Sequence, residues 1–110
     1  MHGLPSNTDL SFLKGREVLQ LCLGRHQVQL RFDGDVTISL EGEFTLDGQR
    51  CGIGDGHRLH VLLGLGIETT RPEGRGDVVL SFDRHILVLH DSKASYESYE
   101  LRGPGIDIVV

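Results

Sequence analysis

Three residues that could bind a metal lie close together in the middle of the chain: Cys51, His57 and His60. A thiolate and two imidazoles are ligands that zinc accepts, and histidines three positions apart share one face of a helix. A fourth ligand has no evident source, and the paired Cys-x-x-Cys and His-Glu-x-x-His patterns are missing. Metal binding is therefore the alternative interpretation of this segment, and exposed or helix-capping histidines are the expected one.

Other candidate chemistry in the sequence is better explained by ordinary structure. The glycine-rich segment 52–56 precedes a predicted helix, where backbone amides can bind phosphate, but Asp55 would place negative charge beside the anion. No Gly-x-Ser-x-Gly nucleophile motif is present, and Cys22 lies inside a strand pattern that predicts a buried, inert thiol. We therefore expect a connector loop, no enzyme activity and no cofactor.

The charge balance bears on the kind of partner. Eleven basic and sixteen acidic side chains among 110 residues give a net charge of −5. This charge opposes a phosphate backbone, and the chain has no tryptophan and few aromatic residues to stack on bases, so nucleic-acid binding is not expected. An acidic surface attracts a basic protein instead, although ordinary solubility also explains it.

The hydropathy pattern predicts a protein of the cytoplasm. The longest strongly apolar stretch, about residues 59–67, is half of what a membrane span needs, and the first nine residues lack the features of a secretory signal. We expect no membrane association. In that compartment Cys22 and Cys51 would remain reduced thiols.

The chain contains one pattern twice, which predicts an internal repeat of a β unit. The apolar alternation and the Phe-Asp pair of segment 28–38 return in segment 78–88. Both segments place a turn residue, Asp33 or Asp83, between alternating runs. We expect a single domain over residues 1–110, with one repeat at about 13–46, a linker and short helix at about 47–64, and a second repeat at about 65–110.

The local patterns place the elements of these repeats. Predicted strands lie near 16–23, 27–32, 36–40, 43–46, 65–70, 77–82, 85–90, 96–101 and 106–110. Asp55 is expected to cap a short α-helix that contains Leu59 and Leu62 and ends at Gly64 or Gly66. The predicted fold is mainly β, an antiparallel sandwich or partly open barrel of two tandem repeats of about three strands each, joined by that helix.

The C-terminal segment is the most distinctive part of the sequence. It reads Tyr-Glu-Ser-Tyr-Glu-Leu over residues 96–101, followed by Gly-Pro-Gly at 103–105. This resembles the tail of an uncharacterised family of small bacterial proteins, common in actinobacteria, in which a Tyr-Glu-Ala-Trp-Glu-Leu strand precedes a Gly-Pro-Gly turn. Tyr99 stands where that family has tryptophan. The resemblance implies a bacterial, β-rich protein and transfers no catalytic residue, because the family has no assigned activity.

Two hypotheses about function follow. The first is a non-enzymatic protein-binding module, for example an immunity or antitoxin-like protein, that binds a basic partner through Tyr96, Glu97, Tyr99 and Glu100. The second is a barrel that binds a small ligand or a metal, with enzyme activity left open, at Cys51, His57 and His60. The oligomeric state is open, and a homodimer is one of the alternatives.

Overall fold

The computed structural model describes residues 8–74, 76–91 and 98–110. Its ten strands, counted over those residues, are β1 (Val18–Leu23), β2 (Val28–Phe32), β3 (Val36–Leu40), β4 (Phe44–Leu46), β5 (Gln49–Cys51), β6 (Thr69–Glu73), β7 (Asp77–Phe82), β8 (His85–Leu89), β9 (Tyr99–Gly103) and β10 (Ile106–Val109). A single 3₁₀ turn, Ser11–Leu13, precedes β1, and a longer 3₁₀ helix, Ile53–Leu62, follows β5. We call the longer one the linking helix.

The strands form two antiparallel five-stranded sheets, so the mainly β prediction is confirmed and the fold is a sandwich. The first sheet has the order β1-β2-β3-β9-β10, and the second has the order β5-β4-β8-β7-β6. Each half of the chain therefore supplies a three-stranded meander to one sheet and a two-stranded hairpin to the other. This exchange of hairpins ties the two sheets together, because neither sheet is built from one half alone.

The two hairpins sit at matching places in the two sheets. Phe44 of β4 lies opposite Leu89 of β8, and Tyr99 of β9 lies opposite Leu40 of β3. Both aromatic side chains are buried between the sheets, where they join the apolar residues that alternate along β2, β3, β7 and β8. The core is therefore shared by both halves. That the halves are repeats of one unit stays a prediction.

The first hairpin turn spans the three residues between the predicted strands 27–32 and 36–40. Phe32 pairs with Val36, which leaves Asp33, Gly34 and Asp35 in the turn. Gly34 and Asp35 both have positive φ, at 70° and 60°, a conformation that glycine and aspartate adopt more readily than other residues. The Asp33 carboxylate accepts a hydrogen bond from the amide of Glu17 at 2.7 Å, which anchors the turn to the start of β1.

The linking helix is present where a helix was predicted, but it differs in two details. It is a 3₁₀ helix rather than an α-helix, and its N-cap is Gly52 with no side-chain cap, so the predicted capping role of Asp55 is wrong. Glycines inside the segment, Gly54 and Gly56, each disfavour an α-helix by about 1 kcal/mol relative to alanine. Gly64 follows the helix with a φ of 82°, as expected for a terminating glycine.

The predicted strand at 65–70 is displaced. Thr69–Glu73 forms β6. The residues before it form backbone hydrogen bonds with the first residue of β1 and the residues that precede it. The Val18 amide donates to the Leu65 carbonyl at 2.9 Å, and the Ile67 amide donates to the Arg16 carbonyl at 2.9 Å. Pro72 fits in β6 because this strand is at the edge of its sheet, where a missing amide donor is tolerated. Strand β5 was not predicted at all, since its three residues fall in what the sequence presents as a loop.

Among the described residues, no helix is long and apolar enough to cross a membrane.

Candidate functional site

A groove runs over the outer face of the first sheet. It encloses about 450 Å³ and is lined mainly by polar side chains that alternate along β2, β3 and β9. We call it the polar groove; the lining residues used below are Gln27, Gln29, Arg31, Ser39, Glu100 and Arg102. Alternation explains its polarity, because the opposite side chains of the same strands fill the core.

The side chains on one wall of the polar groove are already connected. The Gln29 amide donates to Gln27 and to the Ser39 hydroxyl, each at 3.3 Å, and Gln27 donates to Glu41 at 3.3 Å. The Arg31 guanidinium donates to the side-chain amide oxygen of Gln29 at 3.4 Å. Such a row holds donors and acceptors in place before a partner arrives, which reduces the entropy lost on binding.

Glu100 is the most constrained charge in the polar groove. Its side chain is 19% exposed, and Arg102 donates a hydrogen bond to it at 2.6 Å. A hydrogen bond with the Asp107 carboxyl, together with partial burial, raises the pKa of Glu100 despite Arg102. The Arg102 guanidinium also lies 3.8 Å from the Asp107 carboxylate, so two neighbouring carboxyl groups share one guanidinium. An additional cation would be favoured here.

The predicted partner-binding residues have different fates. Glu100 lies in the polar groove. Tyr99 is 1% exposed and its hydroxyl donates to the Gly76 carbonyl, so its side chain belongs to the core and is not an exposed anchor. The reason is the strand alternation, which turns Tyr99 inward when Glu100 faces outward. Tyr96 and Glu97 lie outside the described residues.

A second concave site lies between the β4–β5 hairpin, the linking helix and the start of β8. It encloses about 440 Å³. We call it the histidine cleft; its polar lining includes Gln49, Cys51, His57, Arg58, His60 and His85. The three predicted metal-ligand residues therefore line one cleft, with Cys51 buried at its wall and both helix histidines exposed.

The cleft does not have the geometry of a metal centre. Over the described parts of the chain, no three His, Cys, Asp or Glu side chains form a group that could hold a metal ion. The Cys51 thiol is instead directed at the Gln49 carbonyl, at 3.5 Å. Cys51, His57 and His60 thus share a cleft without forming a ligand set.

Asp47 orients His85 at one side of the histidine cleft. Its carboxylate lies 2.6 Å from Nδ1 of His85 and accepts a hydrogen bond from the Ile86 amide at 2.8 Å. Burial alone would raise the pKa of Asp47, but the hydrogen bonds from His85 and Ile86 outweigh it, and the pKa is lowered. The carboxylate therefore stays ionised and leaves Nε2 as the ring nitrogen of His85 that can meet a ligand.

A third arrangement joins three strands on the outer face of the second sheet. Nε2 of His90 lies 2.7 Å from the Thr45 hydroxyl, and Nδ1 lies 3.1 Å from the Asp77 carboxylate. A hydroxyl, an imidazole and a carboxylate in this order can activate a nucleophile. Thr45 lines neither the polar groove nor the histidine cleft. We interpret this trio as a brace between β4, β7 and the end of β8.

The sequence contained signals for parts of two of these sites, since Cys51, His57 and His60 of the histidine cleft were predicted to lie together. Gln27, Gln29 and Arg31 alternate on the polar side of a predicted strand, which would have located a wall of the polar groove. His85 and Asp47 are 38 residues apart and meet only through the pairing of β4 with β8. The spacing of these residues in the sequence does not predict that contact.

Comparison of the chain with protein-family models, with curated proteins and with solved structures found no match in any of the three.

Proposed function

We propose that this chain is a protein-binding module that engages a basic partner through the polar groove. The observation that carries the proposal is that Glu100, in the polar groove, and Asp107 beside the groove both lie near the one guanidinium of Arg102. A lysine or arginine of the partner that entered between these carboxyl groups would relieve their repulsion. Such a contact would add favourable electrostatics at a place that is already ordered.

Within this proposal, the role we favour is that of an immunity or antitoxin-like protein that covers a toxin. The net charge of −5 would steer a basic partner toward the module and raise the association rate. Cys22 and Cys51 are free thiols, which suit the reducing cytoplasm of a bacterium. The resemblance of the C-terminal segment to a family of small bacterial proteins is part of the same proposal.

The test is co-purification from the native host with the tagged full-length protein at moderate salt, with and without the change Glu100→Gln. The matched control is Glu73→Gln on β6. Glu73 accepts a hydrogen bond from Arg71 at 2.7 Å, and Glu100 accepts one from Arg102 at 2.6 Å, each across two positions of a strand. The two changes thus remove the same kind of ion pair from opposite sheets.

We expect one basic protein to be recovered in near-equal amount with the wild type and with Glu73→Gln, and to be reduced by about tenfold with Glu100→Gln. Its affinity should also fall as the pH is lowered, because a protonated Glu100 no longer attracts a cation. Equal recovery with both variants, or no basic protein with the wild type, would contradict the proposal.

A further inference from the structure

We infer that the histidine cleft is a binding site for a small organic anion, one that carries a phosphate or carboxylate group on an apolar body. The cleft shares no lining residue with the polar groove, so this inference is independent of the proposed protein binding. It rests on the size of the cleft, the charge of its lining and the way that its basic side chains are oriented.

The size of the cleft suits a small molecule. Its volume of about 440 Å³ is within the range of known ligand pockets, roughly 300 to 1,000 Å³. Leu46 and Val61 contribute apolar surface to the same cleft as the basic groups. A ligand with a charged head and an apolar body would therefore find both kinds of contact.

The cleft concentrates basic side chains in a protein that is acidic as a whole. Although the chain has a net charge of −5, this cleft gathers Arg58 and three of the six histidines. Asp47 is the carboxylate in the lining, and both of its oxygens already have hydrogen-bond partners. One contacts His85, and the other accepts from the Ile86 amide. Arg58, His57 and His60 are therefore the groups that can donate hydrogen bonds to a ligand, and an anion needs such donors.

The basic side chains are held in position by local structure. In a 3₁₀ helix, side chains three residues apart eclipse one another, so His57 and His60 lie along one edge of the linking helix. The Arg58 guanidinium donates to the Gln49 side chain at 3.1 Å and lies 4.0 Å from Asp55. A guanidinium has five N–H donors, so further ones are left for a ligand. A neutral imidazole has one N–H, which His57 and His60 can donate to a ligand, whereas His85 directs its Nδ1 at Asp47.

The experiment is a titration of the full-length protein with phenyl phosphate, with benzoate and with inorganic phosphate, followed by the NMR signals of the His57, His60 and His85 rings. The test variant is Arg58→Gln. The matched control is Arg71→Gln, which removes a guanidinium that also neighbours a carboxylate but lies on β6, outside the cleft. A second variant, His60→Ala, serves in case Arg58→Gln loses the native spectrum.

We expect saturable shifts of these ring signals with phenyl phosphate or benzoate. The anion that binds more tightly identifies the preferred head group. Inorganic phosphate should bind more weakly, because it cannot contact Leu46 and Val61. Arg58→Gln should weaken binding by about tenfold or more, and Arg71→Gln should leave it unchanged. The inference is overturned if neither organic anion gives saturable shifts, or if Arg58→Gln and His60→Ala both bind as the wild type does.

Discussion

The hydroxyl of Tyr99 donates a hydrogen bond to the backbone carbonyl of Gly76 at 2.5 Å, and this contact joins the two sheets. Tyr99 begins β9 in the first sheet, and Gly76 precedes β7 in the second. The ring is the largest fully buried side chain in the described part of the chain. One residue therefore supplies core volume and also satisfies a carbonyl of the opposite sheet.

Tyr99→Phe should lower the free energy of unfolding by about 1 to 3 kcal/mol, because the Gly76 carbonyl loses its partner while the ring still fills the core. Chemical denaturation would measure the loss. An unchanged m value, which is the slope of the free energy of unfolding against denaturant concentration, would indicate that the folded state keeps its compactness. A stability equal to that of the wild type would mean that water replaces the hydroxyl at no cost.

The same tyrosine should limit stability at alkaline pH. Burial, with smaller contributions from the charges of Asp77 and Asp91, raises the pKa of Tyr99 well above its ordinary value. The folded state holds this proton more tightly than the unfolded chain, so the stabilisation is complete below about pH 10 and is lost as the pH rises further. Thermal unfolding from neutral to strongly alkaline pH should show a steeper decline for the wild type than for Tyr99→Phe. If the melting temperatures of the two proteins fell in parallel as the pH rose, the attribution of this decline to Tyr99 would be contradicted.

Gly56→Ala should destabilise the fold by about 1 to 3 kcal/mol through overpacking. A Cβ at this position would lie 2.5 Å from Cγ2 of Val28 and 3.3 Å from Cδ2 of Leu23, so the linking helix would have to move away from β1 and β2. Gly54→Ala is the matched control, since a Cβ there meets nothing within 4 Å. Thermal melts of the two variants should differ clearly. Equal melting temperatures would mean that the helix shifts without loss.

Asp107→Asn should lower the pKa of Glu100 toward its ordinary value, since the hydrogen bond with the Asp107 carboxyl is the main cause of its elevation. Because the pKa of Glu100 is raised in the folded state, this group stabilises the fold at pH values below its pKa in the unfolded chain. That stabilisation is lost as the pH rises through its pKa in the folded state. Relative to the wild type, the variant should therefore be less stable at acidic pH than at neutral pH. NMR titration of the Glu100 carboxyl carbon would measure the shift. Asp35, which also lines the polar groove, supplies the control Asp35→Asn, which should leave the pKa of Glu100 unchanged.

Thr45→Val should lower the free energy of unfolding by about 1 kcal/mol, because the brace between β4 and β7 loses its hydroxyl while the shape of the side chain is kept. Thr70→Val on the edge strand β6 is the control, and it should be near neutral. Urea denaturation of both variants would compare them. If Thr45→Val matched its control, the brace would contribute nothing to stability.

The elements of this fold were largely readable from the chain, because strand alternation is a local property. The run from Gln27 to Phe32 and its counterpart at 77–82 show which side chains are buried, and the structure agrees at both. The two predictions that failed, at β5 and at residues 65–67, also have physical reasons. Strand β5 is only three residues long and carries two polar ones, so its pairing with β4 comes from the hairpin rather than from its own pattern. Residues 65–67 look like a strand, but their backbone bonds to the approach to β1.

The candidate sites needed the tertiary structure. Residue types and spacing already placed Cys51, His57 and His60 near one another, because all three lie within ten residues. Only the folded chain brings His85 to the same cleft and adds the Asp47 carboxylate that orients it, since that contact depends on β4 of one half pairing with β8 of the other. The exchange of hairpins between the sheets likewise turns Tyr99 into the core and leaves Glu100 facing outward. Long-range strand pairing is decided by the packing of the whole core, and no local pattern records it.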